Sequence, residues 1–511
     1  MEAETPSKSK IFQNLGFPYI LRSRKSIAIV VLIVLSLGVC GYLMFKHHYR
    51  MPEKIHTYFT VVLDCGSTGS RVSVFEWLIG NGSSVNGGLP IMLHSYPDRK
   101  NITSGCEYHC LQTEPGLHNF VYNSTAVRAS LEPLIRYAEH RVPLERRFTT
   151  PILALATAGM RRLAAEDAAL VLENIRRVVK EHGFLYREDW IRVLSGKEEA
   201  YYGWVALNYR MGVFGSTSRV PTLGLLDLGG SSLQVVAEVD GSIKDERVFR
   251  AKIGRVRRDI VAYSLPAFGL NEAFGRSVVM LSHGGRTFEV RHPCLGSGFA
   301  QNYTCWSCFG MDSADSDEHL YVVGEPNWEL CKRIARAVAI NSSSPDLFDQ
   351  YRDSKCLGLF SYGGNTTLNI TRSLHYVSRY HAMSGFFAIY RALNLSQTLN
   401  LSTLWESGEN LCARSGDNPK GFNGQDCFRM PYLASLIENA LCLAGVDIIF
   451  GPGDVSWTLG ASLVEAEFLW HNRDASPNNN LVLKRDLRLS SSVFTFVLLS
   501  SLLLVFFFLS N

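Results

Sequence analysis

Two aspartates stand at the ends of apolar runs, each followed at once by a turn of small residues: Asp64-Cys65-Gly66-Ser67-Thr68-Gly69 after Val61 to Leu63, and Asp227-Leu228-Gly229-Gly230-Ser231-Ser232 after the run that begins at Thr222. Small side chains leave backbone N–H groups accessible, and such amides cradle anions. A carboxylate beside a polyphosphate suits a hard divalent cation, which takes oxygen ligands and often keeps waters between itself and the protein. Asp64 and Asp227 are therefore candidates for holding a hydrated metal, with Gly66, Ser67, Thr68, Gly69, Asp227, Gly229, Gly230 and Ser231 around the anion. The first turn taken alone reads equally as an ordinary Gly/Ser hairpin turn. Its recurrence points to two related lobes, each offering one loop and one carboxylate to a shared cleft.

The elements that must carry these residues are legible around them. Tyr58 to Trp77 reads as a β-rich run, a polar turn and a second alternating run, a hairpin. Thr222 to Asp240 repeats that grammar. Each loop enters a strand rather than a helix, and no G-x-x-x-x-G-K-[ST] is present, which disfavours a P-loop and a dinucleotide fold. The apolar run Ile152 to Ala156 places Thr157 at a strand end facing the cleft, although Thr157 also fits an N-cap for the helical stretch Arg161 to Lys180. Glu198 and Glu199 follow the strand-like Arg192 to Gly196 and open a helix running toward Tyr209, where composition alone reads them as solvent-facing acids suited to the helix dipole. Ser232 and Gln234, two apart on a strand, share a face. Trp457 opens a helix-like run to Trp470 after the strand Val446 to Phe450, a place where tryptophan commonly serves the core.

Five segments in order resemble the membrane apyrases, the nucleoside triphosphate diphosphohydrolase family of ecto-apyrases and Golgi nucleoside diphosphatases. They are Asp64 to Gly69, Ala156-Thr157-Ala158-Gly159-Met160-Arg161, Ser195 to Tyr201 through Trp204, Asp227 to Gln234, and Trp457-Thr458-Leu459-Gly460-Ala461. The resemblance covers nearly all of residues 55 to 470. It implies an α/β fold of two actin/sugar-kinase-like lobes around a nucleotide cleft and hydrolysis of nucleoside tri- or diphosphates with Ca²⁺ or Mg²⁺. It also implies roles. Glu199 is the general base, Ser232 and Gln234 hold the attacking water, and Gly230, Ser231 and Ser232 offer amides to the transferred phosphoryl group. Asp64, Thr157, Asp227, Glu199 and Trp457 surround the metal, mostly through water. Phe387 stands where the family commonly has a base-stacking tyrosine. Cys412 with Cys427 and Cys294 with Cys331 match family disulfides, whereas Ala262 to Phe274 lacks a cysteine often found there, so the middle disulfides are expected to be rearranged. Cys65 is left as a free thiol. Two other readings stay open: a kinase of the same superfold, and a nucleotide-binding membrane glycoprotein without appreciable turnover.

The 511 residues carry a net charge of +4 with 19% charged and 46% hydrophobic residues, which excludes a disordered, collagenous or strongly basic nucleic-acid-binding chain. Ile27 to Phe45 is an uncharged run long enough to span a bilayer and reads as a signal anchor after a cytosolic tail, 1–26. Leu489 to Ser510 reads as a second span or, alternatively, as the tail of a lipid-anchor signal. All nine Asn-x-Ser/Thr sequons lie between the two runs, and ten of the twelve cysteines lie there too, outside the first glycine loop, which places residues 46–488 in the Golgi lumen or outside the cell with disulfides as the default. Cys106/Cys110 and Cys305/Cys308 do not complete a four-ligand zinc pattern with His109 and His292. Within 46–488 the expected lobes are about 55–195 with 446–472, and about 196–445. Two membrane helices also favour self-association, with no stoichiometry specified.

Overall fold

A computed structural model describes residues 57–79, 88–97, 111–215, 220–240, 248–282, 289–303, 320–342, 356–360, 367–368, 374, 377–412 and 424–471, with helical positions 31, 34, 35, 38, 41 and 42 before them. The first expected hairpin forms from β1 (Thr57–Cys65) and β2 (Ser70–Leu78), antiparallel, with Asp64 opposite Arg71. The short β3 (Ile91–Tyr96) and β4 (Gln112–Thr113) flank β2, while β5 (Ile152–Ala156) runs parallel to β1, and β6 (Ile191–Val193) parallel to β5. The helices α1 (Ser124–Arg141) and α2 (Ala165–Lys180) bury their apolar stripes, Val127, Leu131 and Leu134 of α1 and Val171, Ile175 and Val178 of α2, in a core on one face of this sheet. α2 starts at Ala165 rather than Arg161, because Met160–Arg162 form a separate 3-10 turn and Leu163 is extended.

α3 (Gly196–Arg210) then crosses to a second sheet. Its strands are β7 (Gly224–Leu228), β8 (Ser232–Glu238), β9 (Val248–Ile253) and β10 (Val256–Pro266), completed later in the chain. After α4 (Leu270–Leu281) come a small sheet of β11 (Glu289–His292), β12 (Ala300–Tyr303) and β13 (Leu320–Gly324), the helix α5 (Trp328–Ile340) and the pair β14 (Leu359–Phe360) and β15 (Thr367–Leu368). β16 (Arg379–Ser384), α6 (Gly385–Ala392), α7 (Leu401–Cys412), α8 (Asp426–Ser435), β17 (Asp447–Phe450) and α9 (Trp457–Glu465) follow.

The two large sheets have the same plan. The first runs β3-β2-β1-β5-β6 and the second β9-β10-β8-β7-β16-β17; in each, a hairpin beside a further antiparallel strand joins two parallel strands added later. β7 and β8 place Asp227 opposite Gln234, as β1 and β2 place Asp64 opposite Arg71. β17 belongs to the second sheet, so the chain returns to the first lobe after residue 450 and not before it: pairing with β16 outweighs position in sequence.

Between the sheets lie α3 and α9, packed on each other and on Val62, Leu153, Leu225, Val236 and Ile260. Ten of the fifteen residues of α3 are buried, so this helix is apolar on most sides instead of striped. Gly460 of α9 sits where a Cβ would lie 1.9 Å from the Tyr202 carbonyl oxygen of α3; only glycine permits that approach. Two disulfides, Cys294–Cys331 and Cys356–Cys442, tie the outer part of the second lobe, the first as expected and the second new. Cys427 is also disulfide-bonded, while the Cys412 side chain and the pairs Cys106/Cys110 and Cys305/Cys308 lie outside the described residues. Cys65 is a buried free thiol. Among the described residues no helix is long and apolar enough to cross a membrane; 489–510 lies wholly outside them and 27–45 mostly so.

Candidate active site

The C-terminal ends of β1, β5 and β7 open into one cavity of about 640 Å³. Asp64 and Asp227, 7% and 6% exposed, both line it, so the two carboxylates share a cleft as their repeated setting demanded. The loops meet across it: a Cβ on Gly230 would lie 3.0 Å from Thr68 Cγ2 and 3.5 Å from Ser67 Oγ.

In the first loop the Gly66 amide donates to the Gly69 carbonyl at 3.0 Å, and Arg71 braces the turn. Its guanidinium donates to Asp64 Oδ2 at 3.3 Å, Thr68 Oγ1 at 3.2 Å and Gln112 Oε1 at 2.8 Å. Gly66, Ser67 and Thr68 face the cavity, whereas Gly69 packs against β4 instead. In the second loop the carbonyls are drawn toward the start of α4: Leu270 N donates to Gly229 O at 3.0 Å and Asn271 N to Gly230 O at 2.9 Å. Gly229, Gly230, Ser231 and Ser232 all line the cavity.

Thr157 follows β5 into the cleft and is 5% exposed. It caps no helix side chain to amide; its carbonyl accepts from Met160 N and Arg161 N, and α2 begins beyond Ala164. The two glutamates that open α3 part company. Glu198 completes a capping box, its carboxylate accepting from Ser195 N at 2.9 Å while Ser195 Oγ accepts from Glu198 N, and it pairs with Arg192 at 2.7 Å. Glu199, one residue on, turns into the cavity and is 9% exposed. Arg161 Nη1 donates to Glu199 Oε2 at 2.9 Å and to the Leu194 carbonyl at 3.0 Å.

Burial pushes the Glu199 carboxyl up to about 7; Arg161 opposes this, and Asp227 and Asp64 add to it. Burial likewise raises Asp64, against the pull of Arg71, and raises Asp227, against a hydrogen bond from Ser384 and with further repulsion from Asp64. Three carboxylates thus repel one another in a single buried space.

Gln234 Nε2 donates to Ser232 Oγ at 2.7 Å and to Ser264 Oγ of β10 at 3.2 Å, so the amide is held from two sides. Trp457, 6% exposed, joins the core between the sheets and also walls the cavity. Phe387 does not line it: its ring lies against Gly451 and Gly453 and near Tyr390, centroids 5.6 Å apart. Arg162 reaches from the first lobe to the second loop, pairing with Glu272 at 2.6 Å and donating to Ser231 Oγ.

Arg71, Arg162, Ser264 and Glu272 are absent from the residues singled out in the sequence, and Arg161 and Ser384 were there only as members of the segments around Thr157 and Phe387. The Ser195-x-x-Glu198 spacing was a readable signal that Glu198 is a cap. The others act across the fold, and no local spacing announces them.

Two α/β lobes of one plan, joined through a buried pair of helices and facing a cleft of acidic groups and glycine turns, define a phosphate-handling enzyme class. The profile of the GDA1/CD39 (nucleoside phosphatase) family matches residues 50–474, and the chain belongs to that family. It is similar to "Probable apyrase 7" of Arabidopsis thaliana, 34% identical over 87% of this chain and 62% of that one, so it spans less than two thirds of that relative's length. It is similar also to "Nucleoside-diphosphatase mig-23" of Caenorhabditis briggsae, 24% identical over 91% and 87%. The solved nucleoside triphosphate hydrolase structure from Neospora caninum shares the fold, with a TM-score of 0.58 and 15% identity over 86% of this chain and 97% of that one.

Proposed function

We propose that this chain hydrolyses the terminal phosphoanhydride bond of nucleoside tri- and diphosphates, with Glu199 as general base. The observation that carries this reading is the meeting of Asp64, Asp227 and Glu199, from both lobes, in one cavity beside two glycine turns. Glu199, with a carboxyl at about 7, is poised to take a proton near neutrality. Ser232 and Gln234 orient a water; its oxygen attacks the terminal phosphorus, its proton passes to Glu199, and the bond to the leaving nucleotide breaks. Amides of Gly230, Ser231 and Ser232 and of the first loop meet the charge that gathers on the phosphoryl oxygens. The Arg161 guanidinium keeps the Glu199 side chain aimed into the cavity.

The donor set fits a hard cation held through its waters. Three buried carboxylates are met by arginine only at Asp64 and Glu199, and no described group of three or more His, Cys, Asp or Glu side chains closes directly around an ion. Asp64, Thr157 and Asp227, with Glu199 and Trp457 at the edge, would hold a Ca²⁺ or Mg²⁺ ion, which when bound neutralises substrate phosphate charge. Phe387 stacks the base only if its ring leaves Gly453. The two uncharged apolar runs and the nine sequons between them support reading the chain as a two-span membrane glycoprotein with this domain in the Golgi lumen or outside the cell.

Phosphate release by the full chain from ATP, ADP, UDP and GDP, with and without chelator, tests the reading. Glu199→Gln is expected to lower kcat by about 10²- to 10⁴-fold in a folded protein. For the wild type, kcat/KM falls as pH drops below about 7, where the base is protonated. A folded Glu199→Gln variant at full rate sinks the assignment. Stability runs the other way. The folded carboxyl sits above its ordinary 4.5, so the metal-free fold keeps this contribution below about pH 4.5 and loses it as pH rises through about 7.

A further inference from the structure

Thr157 and Ser384 occupy corresponding stations, the ends of the strands that run parallel to β1 and β7, yet they reach the cleft by different routes. In the first sheet Leu155 pairs with Asp64, and Thr157 lies two residues further on. Alternation along an extended chain puts both on one face, the face by which Leu155 joins the core between the sheets. In the second sheet Met383 pairs with Asp227 and lies in that same core, while Ala382 belongs to the core on the opposite face. Ser384 is one residue past Met383. A straight strand would aim its side chain at the outer core, away from Asp227.

The in-phase position is Gly385, and it has no room for a side chain: a Cβ there would lie 2.8 Å from the Leu228 carbonyl oxygen and 2.8 Å from Leu270 Cδ1. A hydroxyl can be delivered to this side of the sheet only by bending the backbone one residue earlier. Ser384 shows that bend. Its φ is 54° and ψ −114°, a region that residues bearing a Cβ enter at a cost and that persists where the surroundings impose it. The ordinary reason for a serine before a helix does not apply, because Ser384 precedes α6 without making a side-chain capping bond. The side chain instead lines the catalytic cavity, which Asp227 lines as well, one residue past the Met383 that pairs with Asp227.

We infer that Ser384 is a positioning residue: its strained backbone presents the hydroxyl to Asp227 and fixes that carboxylate in the cleft, a service that simple alternation makes available to the first lobe at Thr157. The inference rests on the proposed reading of Asp227 and adds a residue to it. Groups that orient a metal-facing ligand commonly carry about 10- to 100-fold of metal affinity or activity.

The test compares Ser384→Ala, which keeps the Cβ and loses the hydroxyl, with Ser384→Gly, which loses both. In the full chain, thermal unfolding is followed with Ca²⁺ alone, Mg²⁺ alone and chelator, beside phosphate release from ATP and UDP. Both variants should need about tenfold more cation for half-maximal thermal stabilisation and lose about tenfold in kcat/KM. In chelator Ser384→Gly should unfold at a higher temperature than Ser384→Ala, because only glycine is at ease at this φ. Wild-type cation response and rate in Ser384→Ala would overturn the role of the hydroxyl. A glycine variant that unfolds below the alanine variant would overturn the strained presentation. If Ser384→Ala does not fold, Ser384→Gly against wild type decides the cation and rate arms. A wild type with no cation response and no phosphate release removes the functional reading instead, and the order of the two variants in chelator still judges the backbone argument.

Discussion

The turns Asp64 to Arg71 and Asp227 to Gln234 are equal in length and pair in the same register, but they close on different side chains. Opposite the first aspartate stands an arginine that grips it at 3.3 Å; opposite the second stands a glutamine that turns to Ser232 and Ser264. The helices that follow the last parallel strand differ in the same manner. α3 carries Glu199 into the cleft after its Ser195 cap, and α9 carries Trp457 after its Ser456 cap. A duplicated frame brings two loops and two carboxylates together; the divergence between halves supplies a base, a wall and an uneven distribution of charge. Asp64 is ion-paired with Arg71, whereas Asp227 makes no ion pair among the described residues.

The largest effect should come from setting the two aspartates against each other. Asp64→Asn and Asp227→Asn are each expected to lower phosphate release by about 100-fold or more, the scale of losing several kcal/mol of transition-state stabilisation. Their metal-free stabilities should diverge. Asp227→Asn removes a desolvated, repelled carboxylate without stranding a cation, so its unfolding temperature in chelator should match or exceed wild type. Asp64→Asn leaves Arg71 without its carboxylate and should unfold earlier. Equal unfolding temperatures for the two variants would break the claimed asymmetry.

What could be read beforehand follows the range of the interactions. Both hairpins, the strands ending at Ala156 and Phe450 and the helices opened by Ser195 and Trp457 are local patterns, and each candidate site residue on them lines the cleft apart from Gly69. Gly69 belongs to its loop but serves the approach of β4, a contact made only when the chain folds back at Gln112 and Thr113. Phe387 stands on the expected helix, yet its ring is set against a turn that sequence places more than 60 residues away. β17 joined the second sheet because register with β16 is a tertiary fact. Ser384 is the extreme case: its place in the cleft depends on one backbone angle, and alternation along the strand points the wrong way.

An intermediate effect should expose how one half steadies the other. Arg162, adjacent to the arginine that holds Glu199, crosses to Glu272 and Ser231, so the first lobe holds the second loop. Both partners of this pair are largely buried, with side chains 25% and 11% exposed, where an ion pair couples more strongly than at the surface. Arg162→Ala and Glu272→Gln are each expected to reduce kcat/KM about tenfold. The double variant should be little worse than the poorer single one, the non-additivity expected of residues in one contact. Strictly multiplicative losses would show that the two act separately and that the loops are held by something else.

The smallest effect should sharpen the contrast within a single turn of helix. Glu198 and Glu199 are adjacent acids in the first turn of α3, and composition offers no means of ranking them. The capping box consumes the first: its carboxylate satisfies the Ser195 amide while the Ser195 hydroxyl satisfies the amide of Glu198. Glu198→Ala should therefore cost about 1 kcal/mol of stability, the usual value of a cap, and leave kcat within about threefold of wild type. Because the same cap fixes where α3 begins, it also sets the rotation at which the next residue enters the cleft. A side chain one position on is turned by roughly 100° about the helix axis, the angle set by 3.6 residues per turn. If Glu198→Ala instead lowered kcat as far as Glu199→Gln without unfolding the chain, the two acids would be acting as one catalytic unit, and the division of labour between cap and base would be lost.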